Sequence, residues 1–322
     1  MRLELHRIRA QPAPAARQRG AALLVAMIIV TLIVTLTASM VWQQWRAVQV
    51  ETIERARAQS AWILSGALDW ARLILREDAR AGGPDHLGEP WSVPLAEARL
   101  STFLAADKSN ADDAPEAFLS GRITDAQARY NLTNLVDGKG QIDPRELARL
   151  ERLAQTAGIE TGVATRIAQG LRDAIATPDA NAPLLPRTLT QVAWLGIDAS
   201  ALRALAPYVV MLPTPTPINV NTASREVLAA VIDGLDLASA ERLVQLRQRS
   251  PFRSVAAFKT QIKSLEPITA RLDVHSAFFE VSGRLRLADR VLEERSLVQR
   301  VSGGRTEVIE RERISSREQA GS

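Results

Sequence analysis

Few side chains of this protein are of a type that could do chemistry. The chain contains no cysteine, which excludes a disulfide framework, a thiolate nucleophile and a cysteine-based metal site. Its histidines, His6, His86 and His275, are widely scattered, which argues against a histidine-rich metal centre. The adjacent carboxylates Glu293 and Glu294 lie in a strand-like run, where neighbouring side chains point to opposite faces. With no GxSxG, HExxH or Walker sequence either, the pattern predicts a protein that is not an enzyme.

The positive charge of the chain is concentrated at its amino terminus. The whole sequence has 40 Lys and Arg against 36 Asp and Glu. Residues 1–20 hold five arginines and one acid, Glu4, and subtracting these leaves 35 basic and 35 acidic residues beyond Gly20. The basicity therefore indicates an orientation signal in front of the next apolar stretch, and not a nucleic-acid surface.

An uncharged, mostly apolar stretch follows, from Gly20 to Trp45. As an α-helix it would be about 39 Å long, which is enough to cross a bilayer core of about 30 Å. Basic residues precede the stretch, and Arg46 is the first charge after it. The positive-inside rule then predicts a cytoplasmic amino terminus and a globular part outside the inner membrane.

The small residue Gly20 stands before the apolar stretch, whereas a secretory signal has its cleavage site after it. The string RQRGAALLVAM resembles the processing site of type IV prepilins, which a peptidase cuts after Gly. This resemblance implies that Gly20 ends a leader and that Ala21 begins the mature chain; an uncleaved signal anchor is the alternative. Most pilin-like subunits have Glu as the fifth mature residue, but here it is Val25. A carboxylate at that depth needs a partner, so its absence suggests a subunit with no neighbour above it.

Helical periodicity continues beyond the apolar stretch. Apolar and small residues recur every three or four positions from Ile53 to Ile74, and Gly82-Gly83-Pro84 would end the helix. The pattern predicts one continuous helix over about 21–81. A coiled-coil stalk is the alternative, but it would need sustained heptads with charged flanks, which the stripe lacks.

The rest of the chain has the pattern of strands at both ends with helices between them. Residues 84–115 suggest a loop with a helical turn over Leu95 to Leu104, and residues 118–135 suggest one or two strands that end in an Asn-rich turn. Short helices broken by Pro and Gly are expected between Asp143 and about Leu272. Alternating apolar residues predict three antiparallel strands in 277–315.

Residues 218–263 resemble a helix-hairpin-helix unit. In nucleic-acid-binding examples a Gly-rich hairpin presents backbone amides to phosphate. Here the hairpin has the sequence Asp233-Gly234-Leu235-Asp236, and its two carboxylates would oppose phosphate. Four arginines nearby keep a membrane-anchored DNA receptor as an alternative function: Arg242, Arg247, Arg249 and Arg253.

Two further strings resemble the type II secretion minor pseudopilin K family. The first matches a D…R-F/Y-N-L-N-N-L pattern with Asp125, Arg129, Tyr130, Asn131, Leu132, Asn134 and Leu135. The second is INVNTAS, which contains Asn219, Asn221 and Thr222. The leader, the missing Glu and the strand-rich end occur in the family's order. The resemblance implies an α+β fold, in which a pilin-like long N-terminal transmembrane helix packs on an antiparallel sheet and a large all-α domain is inserted between strands.

The family's organisation divides the chain into the following expected parts. They are a leader (1–20), a transmembrane helix (21–42), its periplasmic continuation (43–83), a discontinuous pilin-like domain (84–137 and 276–315), an inserted helical domain (138–275) and a tail (316–322).

The resemblance also implies a role and partners. The role is a single-pass inner-membrane subunit at the tip of the secretion pseudopilus, which initiates or caps assembly and supports protein export; a tip subunit of a type IV pilus is the alternative. Implied partners are the other minor pseudopilins (I, J and H types), the major pseudopilin, the prepilin peptidase, the inner-membrane secretion platform and secreted substrates.

Calcium is the one cofactor that the resemblance raises, because family members supply carboxylates to it. The candidate ligands here are Asp137, Asp173 and Asp179. Calcium takes six to eight oxygen ligands, and the corresponding stretch LRDAIATPDANAP has lost much of that acidity. The sequence DGKG at 137–140 is also too short for an EF-hand and favours a plain turn.

Overall fold

The computed structural model describes residues 18–100, 117–160, 162–176, 183–265, 267–287 and 290–317. The chain divides into two compact units, residues 1–61 and 62–322. All described residues of the first unit belong to helix α1, Gln18–Ala81, which continues into the second. The predicted helix and its stop are confirmed, since Gly82 and Gly83 follow with φ of 70° and 109°, values that glycine adopts without strain.

The second unit contains six further helices and nine strands within the described residues. The helices are α2 (Pro144–Thr156), α3 (Gly162–Ala176), α4 (Ala199–Leu205), α5 (Arg225–Val231), α6 (Leu237–Arg249) and α7 (Val255–Lys259). The strands are β1 (Leu95–Arg99), β2 (Ala117–Asp125), β3 (Tyr130–Asn131), β4 (Val209–Val210), β5 (Ile218–Asn219), β6 (Leu272–Asp273), β7 (Phe278–Leu287), β8 (Arg290–Val301) and β9 (Arg305–Arg317).

The main sheet is antiparallel, with the order β1-β2-β7-β8-β9. Its last three strands are the three that the sequence predicts, and Gly303 and Gly304 turn the chain between β8 and β9 with φ of 81° and 68°. The helical turn predicted over Leu95 to Leu104 is wrong for Leu95–Arg99, which forms an edge strand. Pairing with β2 supplies backbone hydrogen bonds that outweigh a weak local preference for helix; residues 101–104 lie outside the described residues.

The sequence between β2 and β7 forms the helical region. The short helices predicted between Asp143 and about Leu272 are found, although 190–195 and 260–265 are 3₁₀-helices. The region is not purely helical, because two short parallel pairs, β3 with β4 and β5 with β6, tie distant segments together. It has a hydrophobic core of its own, which is the largest cluster of buried apolar side chains.

The second half of α1 packs on one face of the sheet. Leu64, Leu68 and Leu75 are buried there against apolar side chains of β2, β7 and β8. Gly121 and Gly283 face each other across β2 and β7. A side chain at Gly283 would lie 3.1 Å from Leu64 Cδ2, so this glycine lets the helix approach the sheet closely.

Replacing Gly121 by Ala should lower the free energy of unfolding by about 1–3 kcal/mol, the usual cost of overpacking. The new Cβ would lie 2.8 Å from the carbonyl oxygen of Ser282, which is backbone and cannot rotate away. Gly138→Ala is the matched control, because a Cβ there meets nothing within 4 Å. Urea unfolding of the full chain in detergent measures both; equal stability of the two variants would contradict the close approach.

Candidate functional site

The hydroxyl groups in the apolar part of α1 form their hydrogen bonds within the helix, as a membrane-spanning segment requires. In the described part of the chain, α1 is the one helix long and apolar enough to span a bilayer. Its hydroxyl groups donate to backbone carbonyls one turn earlier, as in Thr31 to Met27 O (2.9 Å) and Thr37 to Ile33 O (2.8 Å). Hydroxyl groups bonded in this way do not need water, a requirement inside a membrane. Gly20, Ala21 and Val25 lie exposed in its first turns.

The motif residue Asp125 is the centre of a buried polar junction between the sheet and the helical region. It ends β2 and accepts hydrogen bonds from Gln127 N (2.8 Å), Thr222 Oγ1 (2.6 Å), Ser276 Oγ (2.6 Å) and Asn219 Nδ2 (3.1 Å). Burial raises the pKa of Asp125 to about 6, and the hydroxyl donors only partly oppose this. One carboxylate thus joins segments that are far apart in the sequence.

The INVNTAS residues complete this junction. Asn219 lies in β5, and its amide nitrogen also donates to Ser276 Oγ (2.9 Å) and to the backbone oxygen of Asp85 (3.1 Å). The side chain of Asn221 binds both backbone groups of Phe252, at 2.9 and 3.0 Å. These asparagines replace backbone partners that a regular sheet would supply.

The asparagines of the YNLTNL string hold the Pro-rich linker at 212–217. Asn131 accepts from Leu212 N (3.1 Å) and donates to the backbone oxygen of Thr214 (2.7 Å). Asn134 binds both backbone groups of Thr216, at 2.9 and 3.0 Å. Because the prolines prevent this linker from joining a sheet, its remaining polar groups are satisfied by the side chains.

The other residues of that string belong to the core. Tyr130, Leu132 and Leu135 are fully buried. Tyr130 Oη donates to Glu146 Oε2 (3.0 Å), and burial together with the Glu146 charge raises the tyrosine pKa. Arg129 lies 2.7 Å from Glu280 on β7. The structure thus brings Asp125, Asn219 and Thr222 together in one junction. The other motif residues bind the backbone of other segments, pack in the core or, for Arg129, pair with Glu280, and their functional role stays a proposal.

A second buried polar group, formed by Arg300 on β8, joins the end of α1 to the loop after it. The guanidinium pairs with Asp78 and Asp85, donates to Leu75 O (3.1 Å) and lies 4.3 Å from the centre of the Phe279 ring. Burial raises the pKa values of Asp78 and Asp85, and the Arg300 charge opposes this. Asp85 Oδ2 also accepts from the backbone of Ser276 (2.7 Å), which connects this group to the Asp125 junction.

Sequence reasoning missed Asp85, Ser276 and Arg300. Asp85 directly follows the Gly82-Gly83-Pro84 helix stop, and that position is the one signal that could have marked it. The partners of the ion pair between Arg300 and Asp85 are 215 residues apart, a separation at which a single sequence gives no pairing signal.

The adjacent carboxylates Glu293 and Glu294 point to opposite faces of the sheet, as predicted. Glu294 is buried and lies 2.6 Å from Arg313 Nε and 3.3 Å from Arg311 Nε, whereas Glu293 pairs with Arg295 on the other face (2.9 Å). Both carboxylates are held in ion pairs within the sheet, which is a structural arrangement.

The described residues lend no support to the calcium hypothesis. Asp137 accepts from the backbone N–H groups of Lys139 (2.9 Å) and Gln141 (2.8 Å), as in a plain turn, and these bonds lower its pKa. Asp173 pairs with the neighbouring Arg172 (2.7 Å). Asp179 lies outside the described residues, so the calcium site stays a prediction.

One other acidic group, formed by Asp78, Asp85 and Glu89, has carboxylate oxygens within 4.8 Å of one another. Arg300 already pairs with both aspartates, and Glu89 accepts from the Trp91 indole (2.8 Å) and the His86 backbone (2.8 Å). The donor atoms that a cation would need are therefore in use.

The helix-hairpin-helix unit does not present a phosphate cradle. Gly234 makes the turn (φ 77°), but Asp233 pairs with Arg152 (2.8 Å) and Asp236 caps α6 through Ser239 N (2.8 Å). Arg247 is buried, donates to Val220 O (2.6 Å) and has its pKa lowered to about 10 by burial. The other three arginines of the unit, Arg242, Arg249 and Arg253, are exposed. The geometry offers little to support DNA binding.

The pKa of Asp125 makes stability depend on pH. Because its pKa of about 6 in the folded state exceeds the ordinary 3.8, folding takes up a proton, so stability rises as pH falls from 7 toward 4. The full shift corresponds to about 3 kcal/mol. Asp125→Asn should remove this part of the slope in unfolding experiments between pH 5 and 7. The control Asp137→Asn should leave the slope unchanged, because the Asp137 carboxyl has a pKa below 3.8 and does not titrate in this range. An unchanged slope in Asp125→Asn would contradict the assignment.

Comparisons with known proteins agree on one family. Two family models, both described as type II secretion system (T2SS), protein K, match this chain at residues 128–214 and 218–275. These two ranges contain every motif residue except Asp125. The chain is 30% identical to type II secretion system protein K of Pectobacterium carotovorum, over 92% of this chain and 96% of that one. It is 29% identical to the protein of the same name in Pseudomonas aeruginosa, over 92% of each.

Among solved structures, the chain shares its fold with a chain in the crystal structure of the GspK-GspI-GspJ complex of the enterotoxigenic Escherichia coli type 2 secretion system. The TM-score is 0.63 at 20% identity, over 82% of this chain and 98% of that chain. A long apolar helix that continues onto an antiparallel sheet defines a pilin-like, membrane-anchored subunit of the α+β class. The chain belongs to the type II secretion system protein K family and is a minor pseudopilin.

Proposed function

We propose that this minor pseudopilin occupies the tip of the type II secretion pseudopilus, where it initiates or caps assembly and supports protein export. The observation that carries the proposal is Val25, an apolar residue at the fifth position after Gly20 in a stretch without any charged residue. A subunit further down would use a carboxylate there to neutralise the amino terminus of the neighbour above it. A subunit with nothing above it has no charge to neutralise, and an unpaired carboxylate would cost about 2.5–3.5 kcal/mol in the bilayer.

The anchor and its orientation follow from the same helix. We infer that the prepilin peptidase cuts after Gly20, that the mature chain begins at Ala21, and that the globular part lies in the periplasm on a single inner-membrane span. The arginines of the leader and the absence of charge up to Trp45 support this orientation.

The partners proposed are the I- and J-type minor pseudopilins, together with the H type, the major pseudopilin and the inner-membrane platform. Support comes from the solved structure that contains a chain of the same fold, which is a complex of GspK with GspI and GspJ. The junctions centred on Asp125 and Arg300 suit a non-enzymatic role, because they fix the helical region on the sheet and their polar groups are engaged with one another. Secreted substrates are proposed as further partners.

Deletion and complementation test the tip role. Cells that lack this protein should lose export of secreted enzymes, and the wild-type gene should restore it. In the same cells Val25→Glu should impair export, since it places an unpaired carboxylate at membrane depth, whereas Val25→Leu should not. Full export with Val25→Glu would contradict the argument. Duplex DNA binding by the full chain at low salt would instead favour the receptor hypothesis.

A further inference from the structure

The apolar stretch of α1 is longer than a bilayer requires. From Gly20 to Trp45 it measures about 39 Å as a helix, against a hydrocarbon core of about 30 Å. A helix with such an excess accommodates it by tilting or by shifting along the membrane normal, so length alone does not set its depth. The depth of the helix must therefore be set by anchoring groups at one end of the stretch.

Trp42, Trp45 and Arg46 form a cluster with the right chemistry at the carboxyl end of the stretch. The indole side chains of Trp42 and Trp45 are each 58% exposed and, three residues apart, lie on one face of the helix. The Arg46 guanidinium lies 5.0 Å from the centre of the Trp42 ring, a cation–π contact. No aromatic residue precedes Trp42 in the stretch, so the aromatic groups are confined to this end.

The spacing of these groups matches the headgroup layer of a bilayer. Trp42 and Arg46 are separated by about 6 Å along the helix, and the headgroup region on each side of the core is about 5–7 Å thick. An indole prefers this region because its ring is apolar and its N–H is a donor. Arg46, in contact with the Trp42 ring, supplies a guanidinium, a group whose charge and geometry suit a lipid phosphate.

We propose that Trp42, Trp45 and Arg46 form a phospholipid headgroup anchor that fixes the depth of α1 at the periplasmic surface of the inner membrane. The inference rests on the proposed orientation and extends it, because it names the residues that hold the subunit at one height. The anchor acts before the subunit joins the pseudopilus, while α1 still spans the bilayer.

Cysteine accessibility tests the anchor cleanly, since the chain has no cysteine of its own. Val41→Cys and Gln49→Cys are introduced singly into the full chain, which is reconstituted alone, with its globular part outside, in vesicles of phosphatidylethanolamine and phosphatidylglycerol. A membrane-impermeant maleimide should label Val41→Cys at least about tenfold more slowly than Gln49→Cys, because position 41 lies below the headgroups. Adding Trp42→Ala and Trp45→Ala should raise the rate at position 41 by about fivefold or more.

The matched control is Leu32→Ala with Leu36→Ala, which removes apolar area deep in the stretch and should leave the rate at position 41 unchanged. An unchanged rate after loss of both tryptophans would overturn the proposal. So would an increase that occurs only when I- and J-type pseudopilins are present, since the cluster would then contact a protein helix. Equal, fast labelling at both positions, with protein that alkaline washing removes, would instead contradict the membrane anchor itself.

Discussion

Replacing Gly20 by Trp should leave the leader on the chain and abolish its function in secretion. A bulky residue at this position would not fit a peptidase that cuts after Gly, so the five arginines of residues 1–20 would stay attached. A retained leader keeps those charges on the cytoplasmic side and prevents the helix from leaving the bilayer for the pseudopilus.

The mass of the purified protein measures this directly. The wild-type chain should begin at Ala21, and Gly20→Trp should retain residues 1–20 in cells that contain a prepilin peptidase. Gly66→Trp is the control for added bulk and should be processed normally, because Gly66 is exposed on α1 and a Cβ at that position would meet nothing within 4 Å. Normal processing of Gly20→Trp would show that the site lies elsewhere.

Removing Arg300 should strongly destabilise the globular unit. Its side chain is 11% exposed and pairs with Asp78 and Asp85, whose side chains are 13% and 6% exposed. Arg300→Met would leave two mostly buried carboxylates without their cation, a change that typically costs about 3–5 kcal/mol. The unfolding free energy at pH 7 measures the effect.

The loss should be smaller at pH 5 than at pH 7. The Arg300 charge lowers the pKa values of Asp78 and Asp85, so without it their burial raises these pKa values further, and protonation relieves the unpaired charge as the pH falls. Arg80→Met is the control, since the Arg80 pair with Glu77 is more than half exposed and should contribute less than about 1 kcal/mol. Similar losses in both variants would mean that the Arg300 group is not a buried junction.

Local patterns predicted the parts of this protein whose structure is decided locally. The end of α1 at Gly82 and the three strands after residue 277 follow from glycine and from alternation, which act over a few residues. The edge strand Leu95–Arg99 was missed because its formation depends on pairing with β2 across a gap in the sequence. Edge pairing of this kind overrides a weak local preference.

The candidate site also combines features that local sequence predicts with features that depend on distant residues. The positions of Asn131 and Asn134 were identified through the family motif, but their function as clamps on residues about 80 positions away was not. A string of asparagines looks like a turn when only its neighbours are considered. The linker that they bind lacks several backbone donors because of its prolines, and only the folded chain places the two side by side.

The central claim is that this chain occupies the tip of a pseudopilus with no subunit above it. Such a position has room for one copy, so the stoichiometry of the assembly tests the claim most directly. The full chain would be co-expressed with I-type, J-type and major pseudopilins and a prepilin peptidase, purified in detergent, and weighed by native mass spectrometry. We predict a complex that contains one copy of this chain, beginning at Ala21, with the I and J types. Several copies in one assembly, or a chain that never associates with those subunits, would contradict the account.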